Sequence, residues 1–205
     1  MTDRPNCRLA ATLVCLFVAL LAVGCGQPER ESAAAPIGAT GAAPATTAAP
    51  GVARPRIVAF GDSLTAGYGI QKSESYPAVL QRMLDERGYV YEVVNSGVSG
   101  ETTAGGRRRI EKALDGDVRI AIIALGGNDG LRGLPVADLK ANLEAMVDAA
   151  KAKGAKVLIA GMEAPPQMGD AYTREFRDVF RVVAKEKGVE LLPFLLEGVA
   201  GEAEL

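Results

Sequence analysis

The sequence contains no histidine and no tryptophan, and it has only 3 cysteines in 205 residues. The absence of histidine removes the commonest general base of enzymes and the commonest protein ligand of zinc. No two cysteines stand in a Cys-x-x-Cys spacing, so we expect no metal site. We expect no other cofactor either. The formal net charge of -2 argues against a nucleic-acid partner, because such domains normally carry a clear basic excess.

The first residues have the composition of an export signal. Apolar side chains fill residues 9–23 almost without interruption, and a run of about 15 residues is short for a membrane span but typical of a signal-peptide core. Residues 21–25 (LAVGC) resemble the lipobox of bacterial lipoproteins, which implies cleavage before Cys25 and a diacylglycerol on its sulfur. We therefore expect residues 1–24 to be a lipoprotein signal peptide and the exported chain to be membrane-anchored, facing the periplasm or the cell exterior. An ordinary secretory signal or an uncleaved anchor is the alternative.

The next segment, residues 25–55, is dominated by alanine, proline, threonine and glycine. Such a composition cannot bury enough apolar area to offset the entropy of ordering the chain. We expect a disordered tether that holds a domain away from a membrane surface. Cys7 and Cys15 lie in the segment that would be removed, so no disulfide is expected.

From residue 56 onward, strand-like and helix-like patterns alternate. Apolar, β-branched runs predict strands at residues 56–60, 90–94, 118–125, 156–160 and 189–194, and apolar residues at helical spacing predict helices at 76–84, 101–114, 136–153 and 172–187. Such alternation predicts an α/β fold: a three-layer α/β/α domain with a five-stranded parallel sheet and helices on both faces. After residue 194 no further helical pattern follows, although a sheet of this kind normally carries a last helix. We expect the domain to be incomplete at its C-terminal end.

Three residues that follow predicted strands are candidates for chemistry. Ser63 follows the first strand and would stand near a helix N-terminus, where backbone N–H groups favour an anionic transition state; a serine there can equally be a helix cap. Gly97 follows the second strand and could be either an N–H donor into the site or a simple turn. Asn128 follows the third and could donate its amide to an oxyanion, or be a turn residue with left-handed φ.

The residues around these three positions resemble the conserved blocks of the GDSL (SGNH) hydrolase family. Residues 60–69 (FGDSLTAGYG), 95–100 (NSGVSG) and 125–130 (LGGNDG) match its first three blocks in order. The resemblance implies a flavodoxin-like sheet order of 2-1-3-4-5. It also implies that Ser63 is the acylated nucleophile, and that the Ser63 N–H, the Gly97 N–H and the Asn128 amide form an oxyanion hole. The implied substrates are small esters or acyl lipids, as in the thioesterase I, lysophospholipase and arylesterase subgroup; oligomeric state stays open.

The same family supplies an Asp-x-x-His pair after the fifth strand, and this chain has no histidine. Ser63 is followed three residues later by Ala66 rather than by lysine, and neither Asp62 nor Asp129 has a spacing that suggests a base. A serine hydroxyl is a poor nucleophile without a base, so we expect these 205 residues to be nearly inactive. A truncated reading frame and a natural non-catalytic relative are the two explanations.

A different class of protein fits part of the pattern. The Gly/Ser/Thr-rich turn at residues 61–65 would suit a non-catalytic lipoprotein of flavodoxin-like topology that binds an acyl or phosphate ligand. Loops at residues 131–135 and 164–169 could border an acyl pocket, with Leu134 and Met168 as its apolar walls, or their apolar residues could simply pack against the domain. The basic run at residues 107–109 is expected to be a solvated helix face, with contact to anionic lipid as the alternative.

Overall fold

The computed structural model describes residues 53–201. The predicted signal peptide, Cys25 and the tether up to residue 52 lie outside the described residues. None of the helices within residues 53–201 combines the length and the apolar character that crossing a membrane requires.

Five parallel strands form one sheet in the order β2-β1-β3-β4-β5. The strands are β1 (Arg56–Gly61), β2 (Glu92–Gly97), β3 (Val118–Ala124), β4 (Lys156–Ala160) and β5 (Glu190–Leu192). The predicted fold class and strand order are confirmed. Two strands differ most from the prediction: β2 begins later and extends through Gly97, and β5 is only 3 residues long.

The register of the central strands brings their carboxyl ends level with one another. Gly61 at the end of β1 pairs with Gly97 at the end of β2 and with Ala124 at the end of β3. The segments that follow these three strands therefore emerge side by side at one edge of the sheet, where open α/β folds bind ligands.

In the described part of the chain, six α-helices connect the strands. They are α1 (Ser63–Ala66), α2 (Tyr76–Glu86), α3 (Thr103–Ala113), α4 (Gly127–Leu131), α5 (Val136–Ala152) and α6 (Asp170–Lys187), with short 3-10 turns at Lys72–Glu74 and Pro166–Met168. The four long helices match the predicted ones to within a few residues. The short α1 and α4 were not predicted, because four or five residues are too few to show a helical period.

The long helices are unevenly distributed over the sheet. Right-handed crossovers place the β1–β2 connection on one face of the sheet and the three later connections on the other face. On that second face α5 lies between α3 and α6 and packs against both. The core lies beneath these three helices, where Phe60, Ile123, Met146 and Phe176 are fully buried. After β5, the described residues form turns up to residue 201.

Candidate active site

Ser63 is the first residue of α1, directly after the turn that ends β1. The helix cap is Asp62 rather than Ser63, because the Asp62 Oδ1 accepts a hydrogen bond from the Leu64 N–H at 3.1 Å. The cap alternative for Ser63 is therefore wrong. Within residues 53–201, no hydrogen bond engages the hydroxyl or the N–H of Ser63, so both groups are available to a ligand.

Asp62 also holds Asn128. The Asp62 Oδ2 accepts a hydrogen bond from the Asn128 Nδ2 at 3.2 Å. Asp62 itself is buried, with 2% of its surface exposed. Burial raises the pKa of the Asp62 carboxyl above its ordinary value of 3.8, while its bonds to the Leu64 N–H and to Asn128 oppose that rise. Because its two oxygens face Leu64 and Asn128, the carboxylate orients the site and is not aimed at Ser63 as a base.

Asn128 lies in α4, in a helical conformation rather than in a left-handed turn. The strained position is Gly126, whose φ of 124° is accessible to glycine but rarely to other residues. The Asn128 Nδ2 donates to Asp62 and also to the Glu101 carbonyl oxygen at 3.1 Å. The amide is thus fixed from two sides, by the β1–α1 turn and by the β2–α3 loop.

The neighbouring Asp129 is directed away from Ser63. Its buried carboxylate accepts hydrogen bonds from the Thr103 N–H at 2.9 Å and from the Thr103 hydroxyl at 2.6 Å. The Asn142 Nδ2 donates to the same hydroxyl at 3.2 Å. Asp129 therefore ties α4 to the start of α3, in agreement with the expectation that it is not a base.

Gly97 has a different environment from the one expected of an oxyanion donor. It is the last residue of β2 rather than a turn after it. Its N–H donates to the Asn95 Oδ1 at 3.0 Å. It lines a cavity of about 630 Å³ together with Ala66 and Lys72, whereas Ser63 and Asn128 line another.

The cavity that contains Ser63 and Asn128 has a volume of about 430 Å³. Its walls are mostly apolar and include Leu64, Leu131, Met162, Ala164, Phe194 and Leu196. Both loops predicted to border the pocket contribute to it, but through Leu131 and Ala164 rather than through Leu134 and Met168. Of the two alternatives for Leu134 and Met168, the structure therefore does not support a role as walls of this cavity.

Sequence reasoning placed the segment after the second strand at the site but singled out Gly97 rather than Gly100 in the loop between β2 and α3. No residue in 53–201 accepts a hydrogen bond from the Gly100 N–H, while the adjacent Glu101 carbonyl contacts Asn128. Gly100 has a φ of 78°, so its backbone turns away from the extended conformation of the strand before it. The repeated glycine in residues 95–100 was a visible signal, but it could not distinguish Gly97 from Gly100.

No group of three or more cysteine, aspartate, glutamate or histidine side chains with metal-binding geometry occurs within residues 53–201.

Comparison with known proteins identifies the family. The model of the GDSL-like lipase/acylhydrolase family matches residues 59–204. The chain belongs to this family. It is 43% identical over 146 residues to an esterase, TesA, of Pseudomonas aeruginosa, which covers 71% of this chain and 73% of that protein. It is 37% identical over 150 residues to an arylesterase of Vibrio mimicus, covering 73% of this chain and 75% of that protein.

A solved structure agrees with the sequence matches. AlinE4, an SGNH-hydrolase family esterase, superposes with a TM-score of 0.71 at 42% identity, covering 75% of this chain and 82% of the other. The family resemblance predicted from three short blocks is thereby confirmed, and the chain is a member of a family of carboxylic-ester hydrolases. These matches do not favour the ligand-binding alternative.

Proposed function

We propose that Ser63 is the nucleophile of an esterase that acts on small esters or acyl lipids. Three observations support this role: Ser63 begins α1, its hydroxyl has no partner among residues 53–201, and it lines the same cavity as Asn128. The observation that carries the proposal is this shared cavity, because a nucleophile and an oxyanion donor must both reach one carbonyl group.

The oxyanion hole is proposed to consist of the Ser63 N–H, the Asn128 amide and one N–H of the β2–α3 loop. The resemblance implied Gly97 as the third donor, yet its N–H is bound to Asn95 and its cavity is a different one. Gly100 fits better, because its N–H is unbound within residues 53–201 and its neighbour Glu101 contacts Asn128. A substrate oxyanion would share the Asn128 hydrogen that now faces the Glu101 carbonyl.

The substrate class is proposed from the cavity and the family. A volume of about 430 Å³ with mainly apolar walls fits an acyl or aryl group of moderate size. Aryl esters, short acyl esters, lysophospholipids and acyl thioesters all present such a group next to a carbonyl.

We also propose that these 205 residues turn over esters slowly. Without a histidine, no imidazole is available to accept the proton of Ser63, and Asp62 and Asp129 are bound to other partners. The oxyanion hole alone leaves only a residual acceleration over water.

Export and lipidation on Cys25 remain part of the proposal, on the basis of the signal-like residues 1–24 and the lipobox-like residues 21–25. In a bacterial host fed with radiolabelled palmitate, the wild type is expected to incorporate label and the Cys25→Ser variant is not. Equal labelling of the two chains would exclude lipid on Cys25.

The proposed nucleophile is tested with a fluorophosphonate, which reacts with serines in hydrolase-like sites. Its labelling position is read by mass spectrometry of the wild type and of Ser63→Ala. We expect slow but selective modification of Ser63, and none above background in the variant. Equal modification of several serines, or of a serine other than Ser63, would exclude the proposed site.

A further inference from the structure

A partly buried ion pair involves Glu101, whose backbone carbonyl accepts a hydrogen bond from the Asn128 amide. The Arg109 Nε lies 2.8 Å from both carboxylate oxygens of Glu101, and a second guanidinium nitrogen of Arg109 also contacts Glu101. The two side chains are only 25% and 10% exposed. This arrangement is a bidentate fork, the geometry that fixes a carboxylate most firmly.

Arg109 is itself held by the strand that leads to Ser63. Its Nη2 donates to the Gly61 carbonyl oxygen at 3.2 Å, and its guanidinium carbon lies 3.9 Å from the centre of the Phe60 ring. The cation therefore joins the end of β1 to the β2–α3 loop, through one side chain from α3.

The loop on the other side of the pair carries the proposed donors. The Glu101 carbonyl accepts the Asn128 amide at 3.1 Å, and Gly100 immediately precedes it. Two residues further on, Thr103 is bound to Asp129. Glu101 is thus the member of this loop whose side chain faces α3 and whose backbone faces Asn128.

Stability alone is a weak explanation for this pair. A partly buried ion pair often contributes little net free energy, because desolvation of the charges offsets their attraction. A fork of this kind nevertheless restricts the geometry of the segment that carries it. We propose that Arg109 and Glu101 are positioning residues that fix the β2–α3 loop and, through the Glu101 carbonyl, the amide of Asn128 for oxyanion binding. This inference rests on the proposed function of Asn128, because Arg109 and Glu101 would act only through the position of its amide.

The test follows the Asn128 amide directly, by its side-chain signals in an ¹H–¹⁵N correlation spectrum. The signals are assigned by their absence in Asn128→Ala. Arg109→Gln and Glu101→Gln remove the ion pair, Arg109→Lys keeps the charge without the fork, and Arg108→Gln is the matched control. Arg108 is exposed on the same helix and makes no hydrogen bond or ion pair within residues 53–201.

In Arg109→Gln, we expect the Asn128 signals to shift towards those of a free amide and their hydrogen exchange to accelerate about tenfold, the factor that corresponds to one ordinary hydrogen bond. Fluorophosphonate labelling of Ser63 should slow by a similar factor. Arg109→Lys should lie between this variant and the wild type, and Arg108→Gln should match the wild type. Glu101→Gln, which preserves the side-chain shape, gives the same comparison if Arg109→Gln does not fold.

If Arg109→Gln had a lower melting temperature but unchanged Asn128 signals and an unchanged rate of Ser63 labelling, the inference would be overturned, because the ion pair would then serve stability alone. If the wild type is not labelled at Ser63, the proposed nucleophile fails, whereas the spectra of the variants still decide whether the ion pair positions Asn128.

Discussion

Asp62, the residue beside the proposed nucleophile, is bound to two neighbouring parts of the site. It caps α1, the helix that begins at Ser63, and it accepts a hydrogen bond from the Asn128 amide. It therefore holds the helix that carries the proposed nucleophile and the side chain of the proposed oxyanion donor. The sequence predicted Ser63 and Asn128 through the three family blocks. It could not predict the Asp62–Asn128 bond, because the two residues are 66 positions apart and meet only once β1 and β3 pair.

The buried carboxyl of Asp62 is expected to make the stability of the protein depend on pH. Its folded pKa lies above 3.8, so between that pH and the folded pKa the folded state retains a proton that the unfolded state has released. Its contribution to the free energy of unfolding is therefore full below pH 3.8 and declines as the pH rises through the folded pKa. In Asp62→Asn this decline should disappear.

The measurement is urea unfolding of the wild type and Asp62→Asn at several pH values. Between pH 3.8 and the folded pKa of Asp62, the free energy of unfolding of the variant should increase relative to that of the wild type, and at higher pH the difference should be constant. The altered hydrogen bonds of the variant add an offset that does not depend on pH. Asp115→Asn, at an exposed position, controls for the loss of one negative charge. A constant difference between Asp62→Asn and the wild type at every pH would contradict the expectation.

Asn128→Ala is expected to remove one donor to the developing oxyanion. Loss of such a donor typically lowers the rate by about 10²–10³-fold, so labelling of Ser63 by the fluorophosphonate should slow towards that range. The fold should be retained, because the side chain is only half-buried. Thermal unfolding of the variant provides the control, and a labelling rate equal to that of the wild type in a folded variant would exclude Asn128 from the oxyanion hole.

At the scale of elements, the long helices and the strands follow from patterns in the sequence, whereas the elements that bear the site do not. The helix α5 was predictable from its stripe of Leu139, Leu143 and Met146, which the structure buries completely. The short helices α1 and α4 depend on the cap at Asp62 and on the positive φ of Gly126. The extension of β2 to Gly97 depends on pairing with β1, which no pattern within residues 90–97 indicates.

Gly97 is predicted to matter for packing between elements. A methyl group added at Gly97 would lie 2.7 Å from the Ala66 Cα and from the Thr65 carbonyl carbon, both in the backbone of α1. Because α1 cannot yield as a flexible side chain would, Gly97→Ala should lower the free energy of unfolding by roughly 1–3 kcal/mol.

The measurement is urea unfolding of Gly97→Ala beside Ser96→Ala, the preceding residue of the same strand. The control should stay within about 0.5 kcal/mol of the wild type. If the two variants were equally stable, the contact between β2 and α1 would not require glycine.

For the whole molecule, the sheet order explains why residues distant in sequence share one cavity. With β1 between β2 and β3, the segments after all three strands meet at one edge, as the family resemblance implied. Among residues 53–201, the face of the sheet opposite α3 is less covered: Ile122 and Leu158, which pair across β3 and β4, are only half-buried there. The sequence predicted helices on both faces but not how unequally they cover them.

The activity of the whole chain is expected to be limited by the missing proton acceptor, so that a base supplied from solution should raise it. Hydrolysis of p-nitrophenyl butyrate by the 205-residue chain should fall far below the 1–10³ s⁻¹ that is typical of enzymes. Imidazole is small compared with the cavity of about 430 Å³. The Ser63-dependent rate should therefore increase with imidazole concentration and with pH near 7, where its neutral form becomes abundant.

The Ser63→Ala variant at each imidazole concentration gives the rate of hydrolysis by imidazole itself, which is subtracted. A rise in the remaining rate would mean that the nucleophile and the oxyanion donors are assembled and lack only a base. Rapid Ser63-dependent turnover without imidazole would contradict this account, since it would require another group of the chain to accept the proton. Glu163, an exposed carboxylate that lines the cavity beside Ser63, would then be the first residue to replace by glutamine.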